Sequence, residues 1–127
     1  MVEEIFPAIE RSDAIVWLCP NYNDAISANL AAVINRLTAL YRRVPFYSKT
    51  VFSIIVSGNS GSDSVARQLA NALCINKGFN LPPRFALMAT ANDPGEAEKI
   101  EGIEEAARGF AENMLKEIKR EYRKTTE

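Results

Sequence analysis

The sequence predicts an α/β fold, a parallel three-stranded sheet with flanking helices. Two observations predict it. Three nearly continuous apolar runs, 13–19 (D-A-I-V-W-L-C), 50–57 (T-V-F-S-I-I-V-S) and 84–90 (R-F-A-L-M-A-T), read as strands covered on both faces. Segments with apolar residues at helical spacing separate them. The resulting order, α-β-α-β-α-β-α, places parallel strands in one sheet joined by right-handed crossovers.

Each element has its own warrant. Residues 2–11 are expected to form a short helix, with Pro7 in its first turn or bending it. After the first strand, the helix-like stretch 25–37 sets Ile26, Leu30, Val33, Ile34 and Leu37 on one stripe, which Tyr41 extends. After the second, Val65, Leu69, Ala72 and Leu73 trace a helix over 63–77 that Lys77-Gly78 ends. After the third, Asn92-Asp93-Pro94 reads as a cap with proline at the first helical position. Ile100, Ile103, Ala107, Phe110, Met114, Ile118 and Tyr122 then line a long terminal helix, whose tail 119–127 is expected to fray.

Bulk properties narrow the function. The 127 residues suit one domain, and no repeat or low-complexity linker divides them. Fifteen basic and sixteen acidic residues nearly cancel, so net charge offers nucleic acid and anionic membrane no footing. The basic stretch 116–124 is interleaved with glutamates and reads as a solvated helix end. Neither a membrane-length apolar run nor a signal-peptide pattern is present. Cys19 and Cys74 lack C-x-x-C spacing and read as buried thiols of a cytoplasmic protein. Histidine is absent, which removes His-based triads, His-ligated zinc and imidazole acid–base chemistry. We assign no metal site and no catalytic side chain; any catalysis leans on a cofactor or on carboxylates.

In a parallel sheet the loops after the strands' carboxyl ends share one edge, where ligands bind. Two of these loops carry unusual residues: Pro20-Asn21-Tyr22-Asn23-Asp24, and Ser57-Gly58-Asn59-Ser60-Gly61-Ser62-Asp63. Pro20 fixes the direction in which the chain leaves the first strand. Tyr22 offers an aromatic face with a polar tip, and Asn21 and Asn23 both donate and accept. Gly58 and Gly61 allow close backbone approach, and the following helix points its N-terminus at the same place. Together the loops suit a flat heterocycle with polar edges. The same residue types are also ordinary turn formers. Asp24, Ser62 and Asp63 read equally as helix caps, and Tyr22 as a lid on the core.

At this point the sequence resembles the flavodoxin-like NADPH-dependent FMN reductases, with their quinone-, azo- and chromate-reducing relatives. Residues 11–37 (R-S-D-A-I-V-W-L-C-P-N-Y-N-D-A-I-S-A-N-L-A-A-V-I-N-R-L) resemble that family's third strand, P-x-Y-N loop and following helix. Residues 51–61 (V-F-S-I-I-V-S-G-N-S-G) resemble its fourth strand and small-residue loop, and 62–118 its remaining helix, strand and terminal helix. The resemblance implies that Pro20, Asn21, Tyr22 and Asn23 border a flavin ring, with Ser57, Gly58, Asn59 and Gly61 on its other side or pyrimidine edge. It implies FMN as cofactor, NAD(P)H as electron donor and a quinone-like acceptor.

The departures also carry expectations. Ala31 and Asn35 stand where the family often has Lys and Asp. The family's first two βα units, with the phosphate-binding loop, have no counterpart here. At ~30 residues per unit that is roughly 60–70 residues. Residues 1–127 are thus expected to be a single flavodoxin-like domain lacking those units. Losing two charge-assisted bonds to phosphate weakens FMN binding about a hundredfold or more. In the strand order 2-1-3-4-5 the missing first strand would pair with residues 14–19, leaving an apolar edge. A homo-oligomer, or a chain supplying the missing units, is expected to cover it. The competing reading is a degenerate, non-catalytic flavodoxin-like domain serving oligomer or partner binding. A phosphoacceptor receiver domain is disfavoured, because no acidic pair follows a first strand and no strand ends in a lone aspartate.

Overall fold

The computed structural model describes residues 3–126, apart from the side chains of Tyr122, Thr125 and Thr126. Val2, expected to open the first helix, and the Tyr122 side chain, expected to end the last apolar stripe, lie outside the described residues. The elements run α1 (Ile5–Arg11), β1 (Ala14–Pro20), α2 (Ala28–Tyr41), β2 (Thr50–Ser57), α3 (Ser62–Leu69), β3 (Ala86–Thr90) and α4 (Ile103–Thr126). The sheet is parallel, in the order β1-β2-β3.

Pro7 is third in α1, where the first-turn N–H groups have no helical partner, so the ring costs no hydrogen bond. The end of α1 is tied down by a buried cation. The Lys49 ammonium donates to Glu10 O at 2.8 Å and Ser12 O at 2.7 Å, so the lysine that opens β2 also anchors the turn into β1. Helix α2 starts at Ala28 rather than 25, because residues 22–25 form a turn and Ser27 is the cap, its side chain accepting from Leu30 N–H. Beyond Leu69 the third helix widens to π geometry over Ala70–Ile75. Strand β3 begins at Ala86, later than 84, since Pro82 and Pro83 precede an Arg84 at φ +52°.

Asn92-Asp93-Pro94 does not cap the terminal helix. The segment is a turn, followed by a short 3-10 turn over Ala97–Lys99. Ile100 is extended, and Gly102 at φ +75° leads into α4 at Ile103. The anticipated fraying at 119–127 is not seen in the described part, where α4 stays helical to Thr126.

The sheet has two unlike sides. Trp17, Cys19, Val51 and Ile55 pack with Ile9 of α1, Leu37 of α2 and Val65 and Leu69 of α3 in one buried cluster. Phe52 points the other way and meets Phe110 of α4 edge-on at 6.0 Å. Strand β2 is covered on both faces, and its Ser53 hydroxyl is satisfied by donating to Trp17 O at 3.1 Å. Burial pushes the Cys74 thiol up to about 11 and raises Cys19 as well, so both stay protonated, inert thiols at neutral pH.

Strand β1 is an edge. Thr50 N–H bonds Asp13 O and Asn21 N–H bonds Val56 O, so the odd-numbered residues of β1 face β2. Ala14, Val16 and Leu18 therefore direct their N–H and C=O groups outward. Pro20 falls on that outward side, where its missing donor costs the sheet nothing. On the α4 side of the sheet Val16 is 39% and Leu18 66% exposed, while Trp17 and Cys19 opposite are buried. The apolar edge expected from the sequence is present, with an uncovered strip beside it on one face only.

Candidate functional site

Two strand ends build the site. The register pairs Pro20 with Val56, so β1 and β2 release their loops side by side at the carboxyl edge. Asn21 extends the ladder by one residue, its N–H donating to Val56 O at 2.8 Å. The chain then reverses. Tyr22 N–H bonds Ala25 O at 3.4 Å and Ala25 N–H bonds Tyr22 O at 3.2 Å, around Asn23 at φ +55° and Asp24 at φ +58°. Two successive left-handed residues mark a type I′ turn, and Asn and Asp tolerate that conformation best after glycine. The turn leaves Tyr22 61% exposed at its base.

The second loop is stitched to the first. Asn21 Nδ2 lies 2.6 Å from Ser60 O, 3.1 Å from Ser57 Oγ and 3.5 Å from Asp24 Oδ1. Ser57, 1% exposed, also meets Ser62 Oγ at 2.6 Å. Asn21 Oδ1 is buried without a hydrogen-bond partner. Gly61 sits at φ +90° before α3, and a Cβ there would fall 1.8 Å from Asp24 Oδ1 and 2.8 Å from Asn21 Nδ2. A side chain there would be strained by the positive φ and would displace the Asp24 carboxylate and the Asn21 amide. From α3, Ser64 Oγ at 3.0 Å and Gln68 Nε2 at 2.9 Å both donate to Asp24 O.

All eight residues singled out in the sequence come to this edge, in two roles. Tyr22, Asn23, Gly58 and Asn59 are exposed along the rim, and Pro20 is exposed at the strand edge beside it. Asn21, Ser57 and Gly61 lie beneath and hold the loops to each other.

Sequence reasoning missed a third loop. Ala91 N–H bonds Ser57 O at 2.9 Å, and a Cβ on Gly58 would meet Asn92 Oδ1 at 2.8 Å. That loop is closed by Glu96, whose Oε2 accepts from Asn92 N–H and Asp93 N–H at 2.9 Å each. The Asp93 and Asn92 amides hold the Glu96 carboxyl below its usual range. The available signal was the strand end at Thr90: the third loop must leave from the same edge as the other two.

Tyr22, Asn23, Asp24, Gly58, Asn59 and Ser60 are exposed along the rim. A groove of about 670 Å³ exists elsewhere, along the start of α4 between Glu98 and Glu112, but it is shallow and lies away from the strand ends. Among the described residues no group of three or more Cys, Asp or Glu side chains is placed to hold a metal. None of the described helices is long and apolar enough to cross a membrane. The loops 20–27, 57–64 and 90–96 contain Asp24, Asp63, Asp93 and Glu96 and no cation.

A parallel sheet with helices on both faces and its loops gathered at the carboxyl edge defines a doubly wound α/β protein. The chain belongs to the NADPH-dependent FMN reductase family, whose pattern matches residues 1–93. No curated protein matches the sequence. Among solved structures, RosB with the bound intermediate 8-demethyl-8-formylriboflavin-5′-phosphate is similar over 91% of this chain and 51% of its own, with TM-score 0.77 and 16% identity. The Trp repressor binding protein of Bacillus subtilis is similar over 84% of this chain and 69% of its own, with TM-score 0.70 and 17% identity. The flavodiiron protein of Giardia intestinalis gives TM-score 0.60 at 15% identity, covering 89% of this chain and 26% of its own. The chain thus spans about half the length of RosB, and these identities speak for fold alone.

Two outcomes follow from the stitching. Gly61→Ala is expected to cost about 1–3 kcal/mol in urea unfolding and to shift the Asn21 side-chain amide resonances; unchanged values would mean the loops are not interlocked. Because the Glu96 pKa is depressed, its tie to the third loop is intact above the ordinary carboxylate range and is lost as pH falls through the folded value. The Asn92 and Asp93 amide resonances are therefore expected to titrate with a midpoint below that of an ordinary glutamate. A midpoint at or above it contradicts the geometry.

Proposed function

We propose that this chain is the ring-binding part of an FMN-dependent NAD(P)H oxidoreductase, acting as a single flavodoxin-like domain in the cytoplasm. The observation that carries the reading is an exposed Tyr22 on a pinned turn, beside the exposed backbone of Gly58 and Asn59 on the same rim. Family membership and the flavin phosphate bound by RosB support it. Tyr22, Asn23, Gly58 and Asn59 would hold the ring of FMN, which would supply the redox chemistry between NAD(P)H as donor and a quinone-like acceptor. The chain's own residues bind and orient. Tyr22 offers a stacking face, Asn23 and Asn59 offer donors and acceptors to ring edges, and the glycine at 58 lets the backbone come close. Pro20 sets the direction of the first loop, while Asn21, Ser57 and Gly61 keep the two loops in mutual register.

The ring fits these residues; the phosphate does not. The rim loops hold four carboxylates and no cation, and Arg67 of α3 is paired with Asp63 at 4.0 Å, so the charge of these loops works against a dianion. The second reading, a non-catalytic flavodoxin-like domain, draws its support from that same charge.

The phosphate anchor is assigned to a polypeptide that covers the β1 edge. Its chemistry follows from the two uncovered features. It brings a strand to the outward groups of Ala14, Val16 and Leu18, and an apolar helix to the strip of Val16 and Leu18. A second copy pairing edge to edge extends the sheet but adds no helix over Leu18, since α4 packs on β2 and β3. The length of RosB beyond the matched region is room for such units.

Titration of the purified chain is expected to show weak, saturable binding of equal strength for FMN and riboflavin, lost about tenfold in Tyr22→Ala. No flavin binding at all, or indifference to Tyr22, sinks the ring reading and leaves the non-catalytic one. In sedimentation, the wild-type chain is expected to self-associate without fixed stoichiometry, and Leu18→Lys to stay monomeric. A discrete tight dimer assigns the edge to a second copy instead, and a wild-type monomer at high concentration removes the interaction surface.

A further inference from the structure

We propose that Gln68, on α3 and outside both rim loops, is the positioning residue that aims Tyr22 at its ligand. The inference rests on the ring-binding reading above. The Gln68 side-chain amide makes a two-point contact with the backbone that closes the turn. Its Nε2 donates to Asp24 O at 2.9 Å, and its Oε1 accepts from Ile26 N–H at 3.2 Å. Only one orientation of the amide satisfies both, because a carbonyl accepts and an N–H donates. Ser64, one helical turn earlier, adds a second donor to Asp24 O at 3.0 Å and lies 3.4 Å from Gln68 Nε2.

The clamp matters because of what it holds. Asn23 and Asp24 are two non-glycine residues in succession at positive φ, a conformation that Asn and Asp tolerate but that gains from contacts holding it in place. The local bonds of the turn are long, 3.2 and 3.4 Å between Tyr22 and Ala25. The short bonds come from α3, 40 and 44 residues away in the chain. Tyr22 is largely exposed, and among the described residues no side chain bonds its hydroxyl or stacks on its ring. Its direction is therefore set through the backbone, by the turn and the clamp beneath it. With the clamp intact a ligand meets a prepared face; without it, binding must also order the turn.

Gln68→Glu tests this at constant size. The introduced carboxylate keeps the acceptor for Ile26 N–H but turns a second acceptor toward Asp24 O, with Ser64 drawn away from that carbonyl. At neutral pH this is expected to speed hydrogen exchange of the Ile26 and Ala25 amides and to weaken FMN binding about tenfold. Acidification to about pH 4 protonates the introduced carboxyl, restores a donor, and is expected to bring the FMN affinity ratio of variant to wild type back toward one. The phosphate of FMN and the Asp24 carboxyl, the titratable group on the turn, are common to both proteins and cancel in that ratio. A purely structural role would change unfolding stability without this pH-reversible ratio.

Faster exchange with unchanged FMN affinity overturns the inference while leaving the ring reading intact, as does unchanged exchange. A wild-type chain that binds no FMN overturns the ring reading, and the inference falls with it.

Discussion

The arrangement at the rim depends on the in-register parallel pairing of β1 with β2. With Pro20 opposite Val56, the chain leaves both strands at the same height, and Asn21 reaches Ser57 and Ser60 with one side chain. A slip of one residue would turn Trp17 and Cys19 out of the cluster of α1, α2 and α3. It would also point the donorless nitrogen of Pro20 toward β2, where the ladder needs an N–H. The hydrophobic alternation of β1 and the position of its proline thus enforce the same register, and that register fixes the loops.

Polar groups at the rim divide by depth. Asn21, Ser57, Ser62, Ser64 and Gln68 satisfy one another and the loop backbone, so they are committed to holding shape. What remains facing outward is a tyrosine ring, two asparagines, exposed glycine backbone and several carboxylates. Such a surface suits an uncharged planar group and disfavours a phosphate. The neighbouring β1 edge has the converse character: the backbone groups of Ala14, Val16 and Leu18 point away from β2, and Val16 and Leu18 form an exposed apolar strip on the α4 side of the sheet.

Stiffness and strain are placed to match. Strand β2 is buried on both sides and carries the second loop directly. The first loop holds two consecutive left-handed residues, yet it is bonded from α3, whose own start is fixed by Gly61. The third loop is closed by the exposed Glu96, whose carboxyl the Asp93 and Asn92 amides hold below its usual range. The turn of the first loop is thus backed by α3, while the third loop is closed within itself by Glu96 and tied to β2 through Ala91 N–H and Ser57 O.

The strand segments, their parallel sense and the gathering of two unusual loops were readable from the residue pattern, while the edge position of β1 came from the resemblance and its strand order. Burial and periodicity are local properties of a chain, and three apolar runs alternating with helical stripes admit few arrangements. The start of α2, the use of Asn92-Asp93-Pro94 as a turn and the inward role of Asn21 were not readable. Each is decided by a bond to a distant or competing group: Gln68 to Asp24 across 44 residues, Asn21 to Ser60 across 39, and Glu96 to the amides of Asn92 and Asp93. Residue types announced that a turn or cap was present, since Asn, Asp, Ser and Gly serve both. Only packing, which sets those groups within hydrogen-bond reach, determined which donor met which acceptor, and hence which side chains remained free to face a ligand.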